Sequence, residues 1–144
     1  MKIITISREF GSGGRELGKR LADILGYAYY DREIITAIAE NKKLNENYIE
    51  KILEKGSLKG YPLKFGRTFS SSYSITQQNM TQILVEQQKI IKEIAVRENC
   101  IIVGRSANVI LKEHNPLNLF VYADMESKII RCYKYAAEKE NRSE

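Results

Sequence analysis

The sequence predicts an α/β fold, a mostly parallel sheet with helices on both faces. Three observations carry this reading. Short β-branched runs alternate with segments of helical period. The first run stops at a glycine cluster that opens a helix, and a later run, Cys100 to Val103, stops as abruptly at Gly104-Arg105. Parallel strands need crossovers of about a dozen residues or more, and the intervals between these runs supply them.

Lys2-Ile3-Ile4-Thr5-Ile6-Ser7 reads as a buried strand. Leu17, Leu21, Ile24 and Leu25 follow at i, i+4, i+7 and i+8, which predicts a helix with those four inward, begun near Gly14 and stopped at Gly26. Tyr27 to Tyr30 is a short second strand. Asp31 stands where it can cap a second helix that buries Ile34, Ile35 and Ile38. A third helix starts at Asn45, with Ile49, Ile52 and Leu53 inward and Gly56 past its end. From Lys55 to Val85 the cations Lys55, Lys59, Lys64 and Arg67 occur with no acid between them, so residues 56–75 read as a mobile basic insertion. A long helix, roughly Thr76 to Glu98, turns Ile83, Ile90, Ile91 and Ile94 to a core. After the strand at Cys100 come another at Leu117 to Tyr122 and a basic helix from about Glu126. The whole of 1–144 suits one domain.

Hydrophobic residues at 43% and charged residues at 28% exclude a disordered or fibrous chain. No apolar run approaches the ~20 residues of a membrane-spanning helix, and Met1 leads straight into Ile3-Ile4-Thr5-Ile6 without the charged start and apolar run expected of a signal peptide. Two cysteines, Cys100 and Cys132, exclude a disulfide framework and a four-thiolate zinc site. His114 is the single histidine and precedes Asn115-Pro116 in an expected loop, so no protein-built metal cluster is expected. The chain is expected to be soluble and cytoplasmic, with no membrane partner. A net charge of +5 favours phosphate, a nucleotide or nucleic acid as partner, and a solvated surface accounts for the same charge.

The strongest local signal is Ser7-Arg8-Glu9-Phe10-Gly11-Ser12-Gly13-Gly14-Arg15-Glu16-Leu17, set between a strand and a helix. Glycines let successive N–H groups converge on one anion, and the helix beginning near Gly14 adds free amides and a positive dipole end. A dinucleotide fingerprint, G-x-G-x-x-G, would need a third glycine where Glu16 stands, although Asp31 lies near the distance of a ribose-binding acid. On the P-loop frame G-x-x-x-x-G-K-[ST], Arg8 takes the first glycine, Gly13 the second, Gly14 the lysine and Arg15 the hydroxyl residue. The anion cradle is kept but the lysine is lost, and Arg8 or Arg15 would have to replace it.

The segment from Ile4 to Gly18 resembles the opening of the cytidylate kinase-like family, a divergent branch of the P-loop nucleoside monophosphate kinases that carries R-E/Q-Y/F-G-S-G-G-R in place of the standard loop. Gly26-Tyr27-Ala28-Tyr29-Tyr30-Asp31-Arg32-Glu33-Ile34-Ile35 is similar to its second strand and following helix. Ile101-Ile102-Val103-Gly104-Arg105-Ser106-Ala107 is similar to its third strand, where a Gly-Arg pair enters the nucleotide site. The resemblance implies a P-loop-type three-layer fold. It also implies ATP as donor, Mg2+ as its ion, and a nucleoside monophosphate or similar small phosphorylated acceptor. Ser106 replaces the aspartate that helps recognise cytosine, and Ala37 replaces an arginine. About 125–144 resembles the beginning of the family's arginine-bearing lid, so a C-terminal strand and helix are expected to be missing, in a natural short form or a fragment.

The candidate site follows. Gly11, Ser12, Gly13, Gly14, Arg15 and Glu16 would bind the nucleotide phosphates, and Arg15, Arg8 and Arg131 would neutralise charge in transfer. Asp31, Arg32, Gly104 and Arg105 would bind the acceptor. Each has a plainer account: Arg15 as a surface charge, Arg8 as a partner of Glu9 or Asp124, and Asp31 as a helix cap. Arg131, Lys134, Lys139 and Arg142 at helical spacing fit a lid or a solvated face equally. Two rivals stand beside the kinase, a nucleotide- or phosphate-binding module without turnover and a basic nucleic-acid binder resting on charge and the tyrosines from Tyr61 to Tyr73. The acceptor base and the oligomeric state are left open.

Overall fold

The structure is a computed structural model, and it describes residues 1–47, 49, 50, 53 and 71–140. The strands are β1 (Ile3–Arg8), β2 (Ala28–Tyr30), β3 (Cys100–Val103) and β4 (Leu117–Val121). The helices are α1 (Gly14–Leu25), α2 (Glu33–Lys42), α3 (Ser71–Arg97), α4 (Ala107–Ile110) and α5 (Met125–Glu140), with a 3-10 turn at Lys112–His114. Contacts divide the chain into two compact units, Met1–Asp31 with Ile94–Glu144, and Arg32–Glu93.

The first unit holds an all-parallel sheet in the order β2-β3-β1-β4. Ile4 and Ile6 of β1 pair with Ile101 and Val103 of β3, and these four pack with Ala22 of α1 in one cluster. Ile3, Thr5, Cys100 and Ile102 alternate with them and are buried too. Burial on both faces is why the two central strands read as unbroken apolar runs. Thr5 is the polar exception, and its hydroxyl donates to Asn118 Oδ1 on β4 at 2.5 Å. β4 forms the outer edge, where Leu117 and Phe120 are exposed and the Phe120 ring stacks with that of Tyr122 at 6.5 Å.

The apolar face expected for α1 is not the buried one. Leu17 and Leu25 are exposed, Ile24 is 79% exposed and Leu21 is half-buried. Gly14, Gly18 and Ala22, at i, i+4 and i+8, are the buried residues. The reason is distance. A Cβ on Gly18 would lie 3.0 Å from Val103 Cγ2, 3.1 Å from Ile6 Cδ1 and 3.2 Å from Tyr29 Cε2, so the helix rests on its smallest residues. The periodicity therefore located the helix but named the wrong stripe. Its end is as expected, with Gly26 at φ 66° closing on the Ala22 carbonyl.

In the second unit α2 buries Ile34, Ile35 and Ile38 as expected, and α3 buries Ile83, Ile90 and Ile91. Glu86 of α3 is buried and accepts from Asn41 Nδ2 at 3.0 Å, with Lys42 Nζ at 3.2 Å. These two partners hold its carboxyl below the ordinary glutamate value, Asn41 contributing most. Ile49 and Leu53 are buried, while Ile52, Gly56 and the insertion as far as residue 70 lie outside the described residues. The last five residues of the expected insertion, 71–75, belong to α3, which begins at Ser71 rather than Thr76.

The contact under Gly18 makes a sharp test. Alanine in a helix interior gains about 0.5–1 kcal/mol over glycine, but overpacking costs about 1–3 kcal/mol. Ile6 and Val103 are fully buried and have nowhere to recede. Gly18→Ala is expected to lower stability in urea unfolding by about 1 kcal/mol. A stabilised variant would show that α1 can lift from the sheet.

Candidate phosphate-binding site

Parallel sheets place ligands beyond the carboxyl ends of their strands. In the first unit those ends are Arg8, Tyr30-Asp31, Gly104-Arg105 and Tyr122 to Asp124. The loop after β1 is held by backbone bonds before any ligand arrives. The Glu9 amide donates to the Val121 carbonyl at 3.0 Å, and the Ser12 amide to the Glu9 carbonyl at 3.3 Å. The Ser12 hydroxyl lies 2.8 Å from the Glu9 carbonyl and 3.0 Å from that of Val121. The Ser12 amide and hydroxyl thus both donate within the protein and shape the loop.

Gly13, at φ 87°, is the N-cap of α1, and no side chain caps that helix. The amides of the first turn lack intrahelical acceptors, since the Leu17 amide makes the bond to the Gly13 carbonyl at 3.0 Å. A glycine-bordered helix start with its amides uncapped suits an anion. The left-handed φ at Gly13 is one that other residues seldom adopt.

α5 lies over this loop. The Arg131 guanidinium covers Gly13, its Cζ 2.8 Å from where a Cβ would be, and its Nη1 reaches Glu16 Oε2 at 2.5 Å. Tyr135 donates to the same oxygen at 3.0 Å, and Arg20 Nη2 holds Oε1 at 2.5 Å. Arg131 foremost, then Tyr135 and Arg20, keep the Glu16 carboxyl below its ordinary value. One turn earlier Lys128 pairs with Glu9. Cys132 Sγ lies 3.0 Å from where a Gly11 Cβ would be. α5 itself is capped by Asp124, whose carboxylate accepts from the Ser127 amide at 2.8 Å and the Ser127 hydroxyl at 2.7 Å. Lys128 escaped the sequence reading, although it lies three residues before Arg131 and so on the same helical face.

The other arginines serve other strand ends. The stem of Arg8 lies on Gly14, where a Cβ would meet its Cβ at 2.6 Å, and its guanidinium lies against Gly104. Arg8 therefore joins the glycine loop to the end of β3. It is not taken up by the acids first considered for it, since Glu9 pairs with Lys128 and Asp124 caps α5. Arg15 Nε meets Asp31 Oδ2 at 2.6 Å, with Asp31 buried and Arg15 largely exposed. Arg105 at φ 57° and Ser106 at φ 54° follow Gly104 at φ 71°, three left-handed residues in a row. The Gly104 amide donates to the Ile6 carbonyl at 2.8 Å, and the Ala107 amide to the Gly104 carbonyl at 3.1 Å, closing the turn. Arg32 is the N-cap residue of α2, makes no side-chain cap, and holds Glu50 at 3.2 Å within the second unit.

The structure thus gathers Gly11, Gly13, Gly14, Glu16, Arg8 and Arg131 round one helix start, with Arg15 and Asp31 paired beside it. Lys134 is exposed, and the side chains of Lys139 and Arg142 lie outside the described residues, as does the segment from Tyr61 to residue 70. Among the described residues no group of three or more His, Cys, Asp or Glu is placed to hold a metal ion.

The model of the cytidylate kinase-like family matches residues 3–144. The chain belongs to that family. The family points to a nucleotide kinase-like protein. None of the curated proteins matches it. The crystal structure of an uncharacterized protein from Eubacterium ventriosum ATCC 27560 is similar in fold, with a TM-score of 0.63 and 23% sequence identity. The match covers 95% of this chain and 63% of that one, so this chain spans less than two thirds of the neighbour's length. The α/β parallel fold expected from the sequence stands. No helix among the described residues is long and apolar enough to cross a membrane.

Two outcomes follow. Left-handed backbone costs a residue with a Cβ roughly 1–2 kcal/mol, so Ser106→Gly is expected to stabilise the protein by about 1 kcal/mol in urea unfolding. An unchanged midpoint would mean that the turn holds no strain at Ser106. The second outcome concerns acid. Glu9 and Glu16 titrate below their ordinary value of 4.5, chiefly through hydrogen bonds from Lys128 and Arg131. Their hold on α5 is full above that value and is lost as pH falls through the lower folded-state values. The Gly11 and Gly13 amide resonances should therefore titrate with midpoints below 4.5. Midpoints at or above it would exclude these ion pairs in solution.

Proposed function

We propose that this chain is an ATP-dependent kinase domain that moves the γ-phosphoryl group to a nucleoside monophosphate or a similar small phosphorylated acceptor. The observation that carries this is the uncapped start of α1 with the Arg131 guanidinium above Gly13. Family membership over residues 3–144 supports it. Residues 1–144 would form one cytoplasmic kinase domain, with 56–70 as an acceptor-side insertion and 125–144 as part of a lid.

The residues fit a triphosphate. Gly13, Gly14, Arg15 and Glu16 offer backbone amides to its phosphates, and Gly13, at φ 87°, holds a backbone conformation that a side chain would strain. Bound ATP would supply the phosphoryl group and Mg2+ would screen its charge. Such an ion needs only one or two carboxylates beside phosphates and water, and Asp31 is the buried carboxylate at the strand ends. Arg131 neutralises charge on the donor side, and its planar fork suits two oxygens at once. Arg8 lies between the loop and Gly104, where it touches donor and acceptor regions together. Arg15, turned toward Asp31, orients that carboxylate beside the acceptor end, so the grip assigned to the missing lysine passes to Arg131 and Arg8. Gly104 and Arg105 bind the acceptor phosphate from the end of β3.

A second reading is favoured by Gly14, which stands where the P-loop lysine would. In that reading the domain binds nucleotide without turnover. Both are separated by one experiment. Arg131→Ala is expected to lower kcat roughly 100-fold, with a smaller loss of ATP affinity, because a preorganised donor acts mainly on the transition state. Arg131→Lys should recover part of the rate. A kcat that is unchanged in Arg131→Ala and in Arg8→Ala would overturn the assignment of the grip. Wild-type protein that binds ATP but transfers to no monophosphate would establish the binding module.

A further inference from the structure

Glu16 is half-buried in the first turn of α1, beside the glycine loop, where the helix's positive end suits a carboxylate as well as it suits a phosphate. It holds Arg131 at 2.5 Å through Oε2, Tyr135 at 3.0 Å through the same oxygen, and Arg20 at 2.5 Å through Oε1. Three donors on one carboxylate are the set that a phosphate group attracts. The Arg131 head they fix lies directly over Gly13, at the mouth of the amide cradle.

We infer that Glu16 is an internal stand-in for phosphate, a carboxylate that latches α5 onto the glycine loop until a nucleotide phosphate takes over the Arg131 fork. This deepens the phosphate-site reading and rests on it. Arg131 keeps an anionic partner throughout, so it is never left over the loop as an uncompensated charge. Binding becomes an exchange of one oxyanion for another. The latch has a cost in affinity, because only the fraction of molecules with Glu16 released can accept phosphate in full. A latch closed nine-tenths of the time weakens apparent binding about tenfold. Lys128 and Glu9, one turn away, tether α5 independently, so release of Glu16 re-aims Arg131 without freeing the whole helix.

The test is calorimetric titration of the full chain with ATP and, separately, with inorganic pyrophosphate, together with amide hydrogen exchange of residues 125–135 in the free protein. Glu16→Gln keeps the shape and removes the charge. It is expected to tighten both ligands by about five- to tenfold and to speed exchange in α5. Asp23→Asn, an equal change of charge on an exposed part of α1, should alter affinity by less than about twofold at physiological salt. In an Arg131→Ala background Glu16→Gln should bring no gain. A gain that persists there, or one matched by Asp23→Asn, would reduce the effect to a bulk field and overturn the latch. Wild-type binding with equal or weaker binding by Glu16→Gln would overturn the latch alone. A wild-type chain that takes up neither ATP nor pyrophosphate would overturn the phosphate site, and the latch with it.

Discussion

α1 approaches the sheet on Gly14, Gly18 and Ala22, with no larger side chain between it and Ile6 or Val103. The remaining features of the site depend on that spacing. A helix held this close must leave β1 through a tight turn, and Glu9 to Gly13 make that turn by bonding to the end of β4. The turn in turn sets the direction of the first helical amides. Because Gly14 belongs to the contact stripe and to the loop at once, the packing of the helix and the position of its uncapped end are one arrangement. The Arg8 stem, lying on Gly14, is placed by the same contact.

Charge is then distributed round that fixed point by strand order. β1 is central, with β3 on one side and β4 on the other. Arg8 crosses toward β3, Arg15 turns to the residue after β2, and α5 brings Arg131 and Lys128 back from beyond β4. Arg15, Arg131 and Lys128 each have an acidic counterpart on the loop, helix or strand end they serve, and Arg8 lies against Gly14 and Gly104. Three elements, β1, α1 and α5, thus bring positive charge to one helix start, in a sheet whose strand ends lie side by side.

Much of this was legible in the residues. The β-branched runs with glycines at their ends located β1 and β3, and the Gly-Ser-Gly-Gly segment located the turn into α1. What failed did so for identifiable reasons. Leu17, Ile24 and Leu25 have helical spacing, but periodicity measures apolarity and cannot register that the sheet leaves room only for glycine and alanine at Gly14, Gly18 and Ala22. The bonds that shape the loop at Ser12 could not be read from the sequence, because one acceptor, the Val121 carbonyl, lies on a strand 109 residues away. Lys128 was passed over because its partner, Glu9, lies across the fold. The short helix at Ala107–Ile110 has no apolar stripe of its own to announce it, and its left-handed entry at Arg105 and Ser106 is stabilised by the Gly104 amide on β1.

The two cysteines occupy opposite chemical situations. Cys100 is buried in β3, and desolvation pushes its thiol up to about 11, so it stays protonated and shielded at neutral pH. Cys132 is half-buried on α5, with its sulfur against Gly11. Mild alkylating reagents spare a protonated thiol shut in a core. Of the two thiols Cys132 is the one that solvent reaches in part, and a label placed on it would sit at the seam between the glycine loop and the helix that covers it. Motion of that seam can be followed without introducing a foreign residue.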